Sequence, residues 1–161
     1  MNTRIAVAAL VALAFPLTAC SNADDEAAAK AVSQDLQKGG EGDLELSQKD
    51  ADCIGEGMVD EVGRDQLIEY KIITKDNKPD DGKAADMSKD DAESTADVFQ
   101  DCTDVKKIFL DEMSSAPEES KSCMDDKLTD DVIHDFLVAG FQGDDANKVL
   151  EDAVGECMQA S

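Results

Sequence analysis

Five cysteines are the residues of this 161-residue chain whose types and spacing most clearly predict chemistry. Four of them, Cys53, Cys102, Cys123 and Cys157, form an even set downstream of an apolar N-terminal segment of the kind that directs export. An even set of cysteines in an exported chain predicts disulfide bonds. A zinc site is the alternative, and it is disfavoured because no two of these cysteines are two residues apart and His134 is the only imidazole.

The fifth cysteine, Cys20, follows a segment with the features of a secretion signal. Arg4 supplies a positive charge, and residues 5–15 form an apolar run that is shorter than the roughly 20 residues needed to span a bilayer. The next residues, Leu-Thr-Ala-Cys at 17–20, resemble the lipobox of bacterial lipoproteins. The resemblance implies that residues 1–19 are a removed signal peptide and that Cys20 carries two acyl chains as a membrane anchor. An ordinary signal peptide with an incidental Cys20 is the alternative.

No arrangement of residues in the sequence predicts catalysis. His134 is the only histidine, and it has no glutamate-bearing zinc motif around it, so we interpret it as a surface histidine at the edge of an apolar helix stripe. No nucleophile and base pair, glycine-rich phosphate loop or dinucleotide fingerprint occurs. The sequence therefore predicts a protein that is not an enzyme, with no catalytic residue and no cofactor.

The abundant aspartates raise the question of a calcium site. An EF-hand loop with Gly82 at its sixth position would place Asn77 first, Pro79 third and Ser88 twelfth, which does not fit the ligand pattern. The paired aspartates are instead typical of solvated helix faces and helix starts; they are 80–81, 90–91, 125–126, 130–131 and 144–145. No specific metal site is predicted.

The charge balance narrows the possible partners. There are 38 acidic and 15 basic side chains, and the formal net charge is −23. Nucleic acids and anionic lipids are polyanions that recruit Lys and Arg, so this balance argues against binding either of them by charge.

Hydrophobic periodicity predicts an all-α bundle of six to eight short helices over residues 47–161. Ser47, Ser88 and Thr129 have the spacing of helix N-caps, and Pro117 is expected in the first turn of another helix. Residues 73–87 form the main predicted loop. Residues 20–46 have few large apolar side chains and a glycine cluster, and they are predicted to be a lipidated, flexible acidic tether with a weak helix around residues 26–36.

An internal repeat divides the predicted domain into two units, residues 47–113 and 114–161. Cys53 and Cys123 are 70 positions apart, and at the same offset Asp60, Val62, Asp65 and Leu67 recur as identical residues. Each unit ends near a second cysteine. Four cysteines allow three connectivities, and the repeat selects Cys53–Cys102 and Cys123–Cys157, so that each bond joins the first helix of a unit to the last.

The lipobox together with the duplicated cysteine-containing helical unit resembles a group of small secreted or lipid-anchored actinobacterial proteins, and this resemblance covers residues 47–161. It implies a location and a fold but no activity. We therefore expect a non-catalytic binding or structural lipoprotein on the extracytoplasmic face of the bacterial cell membrane. It would contact the membrane through the lipid on Cys20, and its partner would be an envelope protein or a cell-wall component. The alternative is an acidic cation-binding or salt-adapted surface protein with weak Ca²⁺ affinity.

Overall fold

The computed structural model describes residues 23–38, 46–82, 84–113 and 116–159, and all regular structure in these ranges is α-helical apart from one isolated bridge between Ile73 and Pro79. The predicted all-α class is confirmed, with eight helices in the described ranges. They are α1 (Ala23–Lys38), α2 (Gln48–Glu61), α3 (Arg64–Glu69), α4 (Lys89–Cys102), α5 (Val105–Glu112), α6 (Glu118–Lys127), α7 (Asp130–Phe141) and α8 (Ala146–Gln159).

Side-chain caps set the starts of the helices. The hydroxyl oxygens of Ser47, Ser88 and Thr129 each accept a hydrogen bond from the backbone amide three residues further on, at the starts of α2, α4 and α7. These three predicted starts are confirmed. Asp104 caps α5 in the same way, whereas Pro117 lies at the N-cap of α6, one position before the helix.

The prediction of a flexible tether over residues 20–46 is wrong for Ala23–Lys38. This segment is a 16-residue helix whose inner face is buried in the core, with Ala28 and Val32 at 0% and 1% exposure. Helix α1 packs along α2 through small residues that allow the two backbones to approach closely. The domain therefore begins no later than Ala23 rather than at residue 47. The remaining tether residues, 20–22 and 39–45, lie outside the described residues.

Both predicted disulfide bonds are present. Cys53 in α2 is bonded to Cys102 at the end of α4, and Cys123 in α6 is bonded to Cys157 in α8. Each half of the molecule therefore contains a first cysteine-bearing helix, a second helix and a closing cysteine-bearing helix, and the architecture of two related halves is confirmed.

The helix bounds of the two halves do not keep a constant offset of 70 positions beyond the first cysteine. Helix α2 continues for eight residues after Cys53, whereas α6 ends four residues after Cys123. The N-caps of the following helices, Gly63 and Thr129, are therefore 66 rather than 70 positions apart. Leu67 is buried, and so are both Ile133, 66 positions further on, and Leu137, 70 positions further on. Since four residues are close to one helical turn, Ile133 and Leu137 lie on the same face of α7.

The two halves share one hydrophobic core. Helix α4 of the first half packs against both α2 and α7, and the rings of Phe99 and Phe141 have their centroids 5.4 Å apart across this boundary. No helix occurs in the described part of the predicted main loop, residues 73–82 and 84–87. This segment is held in place by Arg64, which donates hydrogen bonds to the Asn77 side chain and the Lys75 carbonyl oxygen.

Candidate functional site

The two disulfide bonds differ in their access to solvent. In the first, the Cys53 side chain is exposed and Cys102 is half-buried; in the second, Cys123 is half-buried and Cys157 is completely buried. Neither bond leaves a free thiol, so these four cysteines are crosslinks rather than nucleophiles or metal ligands. The first bond staples the surface of the bundle, and the second forms part of its core.

A cavity of about 490 Å³ lies where the two halves meet. We call it the inter-half cavity. Its walls come from α1, α2, α4, the segment before α4 and the end of α7, so both halves contribute. The apolar lining consists mainly of Val32, Leu36, Met58, Met87, Phe99 and Phe141. Its polar lining includes the carboxylates of Asp35 and Asp86.

Backbone geometry keeps the wall of this cavity in place. The Met87 amide donates a 2.9 Å hydrogen bond to the Phe141 carbonyl oxygen, and the Ala85 amide donates to the Tyr70 carbonyl oxygen at 2.8 Å. On the opposite side the chain turns at Gly143, whose φ of 74° suits glycine. The two hydrogen bonds join the segment 84–87 to the ends of α7 and α3, so backbone contacts hold this wall of the cavity in place.

A second, polar groove of about 830 Å³ runs along α1 and α2. In it the buried Ser33 hydroxyl donates a 2.5 Å hydrogen bond to Asp52 Oδ1, and Gln48 Nε2 donates to the same oxygen at 2.8 Å. These two hydrogen bonds, the one from Ser33 being the larger cause, lower the pKa of Asp52. A carboxylate with a lowered pKa is a weaker proton acceptor. The network joins α1 to α2.

We expect the Ser33→Ala variant to raise the pKa of Asp52 toward its usual value of 3.8. Folding lowers this pKa, so the ionised carboxylate stabilises the fold above the unfolded-state pKa, and that contribution is lost as pH falls through the folded-state pKa. Carbon-13 NMR titration of the Asp52 carboxyl measures the shift. Ser88→Ala, which removes a comparable bond to Asp91, is the control and leaves Asp52 unchanged. An identical Asp52 titration in wild type and Ser33→Ala would contradict the assignment.

His134 lies half-buried between α7 and α4. Its Nε2 atom is 3.3 Å from Asp97 Oδ1 on α4, and its Nδ1 atom is 3.9 Å from Asp135 Oδ1. The residue therefore joins α7 to α4. Within the ranges that the structure describes, no three His, Cys, Asp or Glu side chains lie close enough together to hold a metal ion. In the segment that was compared with the EF-hand pattern, the Asn77 side-chain oxygen accepts a hydrogen bond from Arg64.

Sequence reasoning did not find the inter-half cavity. Its lining comes from segments between Val32 and Gly143, and no local motif marks them. The sequence feature closest to the cavity was the apolar stripe of each predicted helix. One stripe included Phe99, but the stripes did not show how the helices pack against each other. Cys20, the predicted lipidation site, lies outside the described residues.

No protein-family model, curated protein or solved structure matches the chain. Among the described helices, none has the length and apolar character needed to cross a membrane. The fold and the two bonds define a disulfide-stapled helical protein made of two related halves.

Proposed function

We propose that this protein is a non-catalytic binding lipoprotein of the bacterial envelope, anchored through acyl chains on Cys20 at the extracytoplasmic face of the cell membrane. The observation that carries the proposal is the pair of disulfide bonds, which use all four cysteines downstream of Cys20. Disulfides of this kind persist in oxidising, extracytoplasmic compartments. The apolar segment 5–15 and the lipobox-like residues 17–20 supply the matching export and anchoring signals.

The position of α1 constrains how such an anchor would hold the domain. Helix α1 begins at Ala23, three residues after Cys20. Three fully extended residues span about 11 Å at most. A lipid on Cys20 would therefore keep the N-terminal end of α1 close to the membrane surface rather than at the end of a long spacer, and the partner would be an envelope component within reach of that surface.

A binding role is favoured over an enzymatic one by the kind of cavity that the fold builds. The inter-half cavity is mostly apolar, with few polar groups, as is typical of sites that bind small molecules. Among the residues that the structure describes, its lining includes no cysteine, histidine or serine. The cation-binding alternative would rest on dispersed surface carboxylates, which hold ions weakly.

Cys20→Ala tests the anchor. In a bacterial host that processes lipoproteins, we expect wild-type protein in the membrane fraction, with an N-terminal peptide whose mass shows acylation of Cys20. The variant should lose the acyl mass and leave the membrane fraction. A Cys53→Ala/Cys102→Ala variant is the matched control, because it also removes cysteines but should keep the lipid. A free Cys20 thiol or an intact Met1 terminus in wild-type protein would overturn the proposal.

A further inference from the structure

We propose that the inter-half cavity binds a small amphipathic cation, that is, an aliphatic or aromatic body carrying an amine or a quaternary ammonium group. The inference rests on the proposed role as a binding module and names the chemical class of its ligand. Its test needs no membrane, so its failure and the failure of the Cys20 anchor are separate results.

The apolar part of the ligand is set by the interior of the cavity. Val32, Met58, Met87 and Phe99 are buried, at 1%, 3%, 7% and 5% exposure, and they line an open volume of about 490 Å³. This volume is in the range of sites that enclose small organic molecules. Met58 and Met87 have flexible, polarisable side chains that adapt to ligands of different shape. Water in such a space has few polar partners, so an apolar chain or ring is the better occupant.

The positive charge of the ligand is inferred from the rim. The carboxylate of Asp86 lines the cavity and is so close to Gly143 that a Cβ atom at this glycine would collide with it. The chain continues from Gly143 into Asp144 and Asp145, whose side chains are exposed. Asp35 also lines the cavity, but Lys38 at 3.9 Å offsets its charge, so Asp86 is the carboxylate on which the preference for a cation rests. The rim therefore attracts cations and repels carboxylates, and the chain's net charge of −23 acts in the same direction.

An aromatic ring adds to this preference. Phe141 is half-buried at the cavity wall, where its ring packs tilted against Phe99 with centroids 5.4 Å apart. Ammonium groups are attracted to aromatic faces, and quaternary ammonium groups are recognised by aromatic residues in many binding sites. One partly exposed ring beside a carboxylate is a weak form of such a site, so we expect modest affinity and a clear charge preference.

The test compares three ligands that share one apolar chain. Octyltrimethylammonium, 1-octanol and octanoate are titrated below their aggregation limits into the full chain carrying Cys20→Ala, so that no acyl chain competes for the cavity. Binding is followed by NMR shifts of the Val32, Met58 and Met87 methyl groups. We expect the ammonium compound to bind at least tenfold more tightly than octanoate, with octanol between them.

Two variants locate the site, each with a matched control. Leu36→Trp fills the cavity and should weaken octyltrimethylammonium binding tenfold or more, while Leu110→Trp, at another half-buried leucine on α5, should leave it unchanged. Asp86→Asn should weaken binding of the ammonium compound about threefold and leave octanol unaffected, and Asp90→Asn is its control. Since Asp86 is exposed, this variant does not endanger folding.

Three outcomes would overturn the inference. Equal affinity for all three ligands would show that binding depends on the apolar chain alone and not on the charge of the head group. Absence of methyl shifts with every ligand would show that the cavity is not a ligand site. A concentration-dependent dimer in sedimentation, abolished by Leu36→Trp, would show that a second copy of the chain covers it.

Discussion

Replacing both Cys123 and Cys157 by alanine is expected to lower the free energy of unfolding by about 4 to 5 kcal/mol. The bond closes a segment with a sequence separation of 34, and the chain entropy released in the unfolded state is worth about 4 kcal/mol for a loop of this length. Cys157 is also fully buried, so removing its sulfur adds a packing loss of roughly 1 kcal/mol. Urea denaturation of the variant and of wild-type protein, followed by circular dichroism, measures the difference.

The double-alanine variant at the Cys53–Cys102 bond separates the effect of loop length from the effect of burial. Cys53–Cys102 has a sequence separation of 49, so the loop-length argument alone gives it the larger contribution. Cys53, however, is exposed, and its removal leaves no buried space. We therefore expect the Cys53→Ala/Cys102→Ala variant to lose no more than about 4 kcal/mol, slightly less than the Cys123→Ala/Cys157→Ala variant. A larger loss at Cys53–Cys102 would contradict the importance assigned to burial.

The helix starts and the disulfide pairing could be predicted from the sequence because their signals are local or strongly constrained. Ser47, Ser88 and Thr129 act through a bond to an amide three residues away, so the cap and its partner lie in the same short stretch. The four cysteines allow only three pairings, and the similarity of the two units selects one of them. Both kinds of signal can be recognised without knowledge of the tertiary packing.

A weak helix was predicted in the region of α1, but its packing into the core was missed because its buried face consists of small residues. Ala28, Ala29, Ala31 and Ser33 carry little apolar surface, and Val32 is the only larger side chain among the residues that α1 buries. A periodicity argument weights residues by hydrophobicity, so it underestimates a helix that packs by close backbone approach. The useful signals were the three acidic residues of the first turn, Lys38 in the last turn and the alanine content, all of which favour a helix.

The abundance of aspartate in this chain weakens the sequence identities on which the offset of 70 positions rests. Two of the four identical pairs beyond the cysteine, Asp60 with Asp130 and Asp65 with Asp135, involve exposed acidic residues whose identity carries little information in a chain with 38 acidic side chains. Burial does not choose between the offsets of 66 and 70, because both Ile133 and Leu137 are buried. The inter-half cavity, in turn, depends on how the helices cross, which no pattern within a single helix specifies.

Gly55→Ala is expected to destabilise the fold by about 2 kcal/mol, although alanine is the better helix former. A Cβ atom on Gly55 would collide with the Ala29 carbonyl oxygen and lie 3.2 Å from the Ser33 amide nitrogen, and these are backbone atoms of α1 that no side-chain rotation can move. The two helices would have to separate, at a cost of about 3 kcal/mol, against a gain of about 1 kcal/mol in helix propensity.

Gly155→Ala is the matched control, because it makes the same change inside a helix without the collision. The nearest atom to a Cβ on Gly155 is Glu151 Cγ at 3.7 Å, an ordinary contact, so this variant should gain about 1 kcal/mol from helix propensity alone. The two substitutions are therefore expected to shift the urea midpoint in opposite directions. If Gly55→Ala were as stable as Gly155→Ala, α1 would not pack on α2 at this distance, and the segment Ala23–Lys38 would be the tether that its composition first indicates. Opposite shifts would establish α1 as an integral helix of the bundle, and a lipid on Cys20 would then hold the folded domain directly at the membrane.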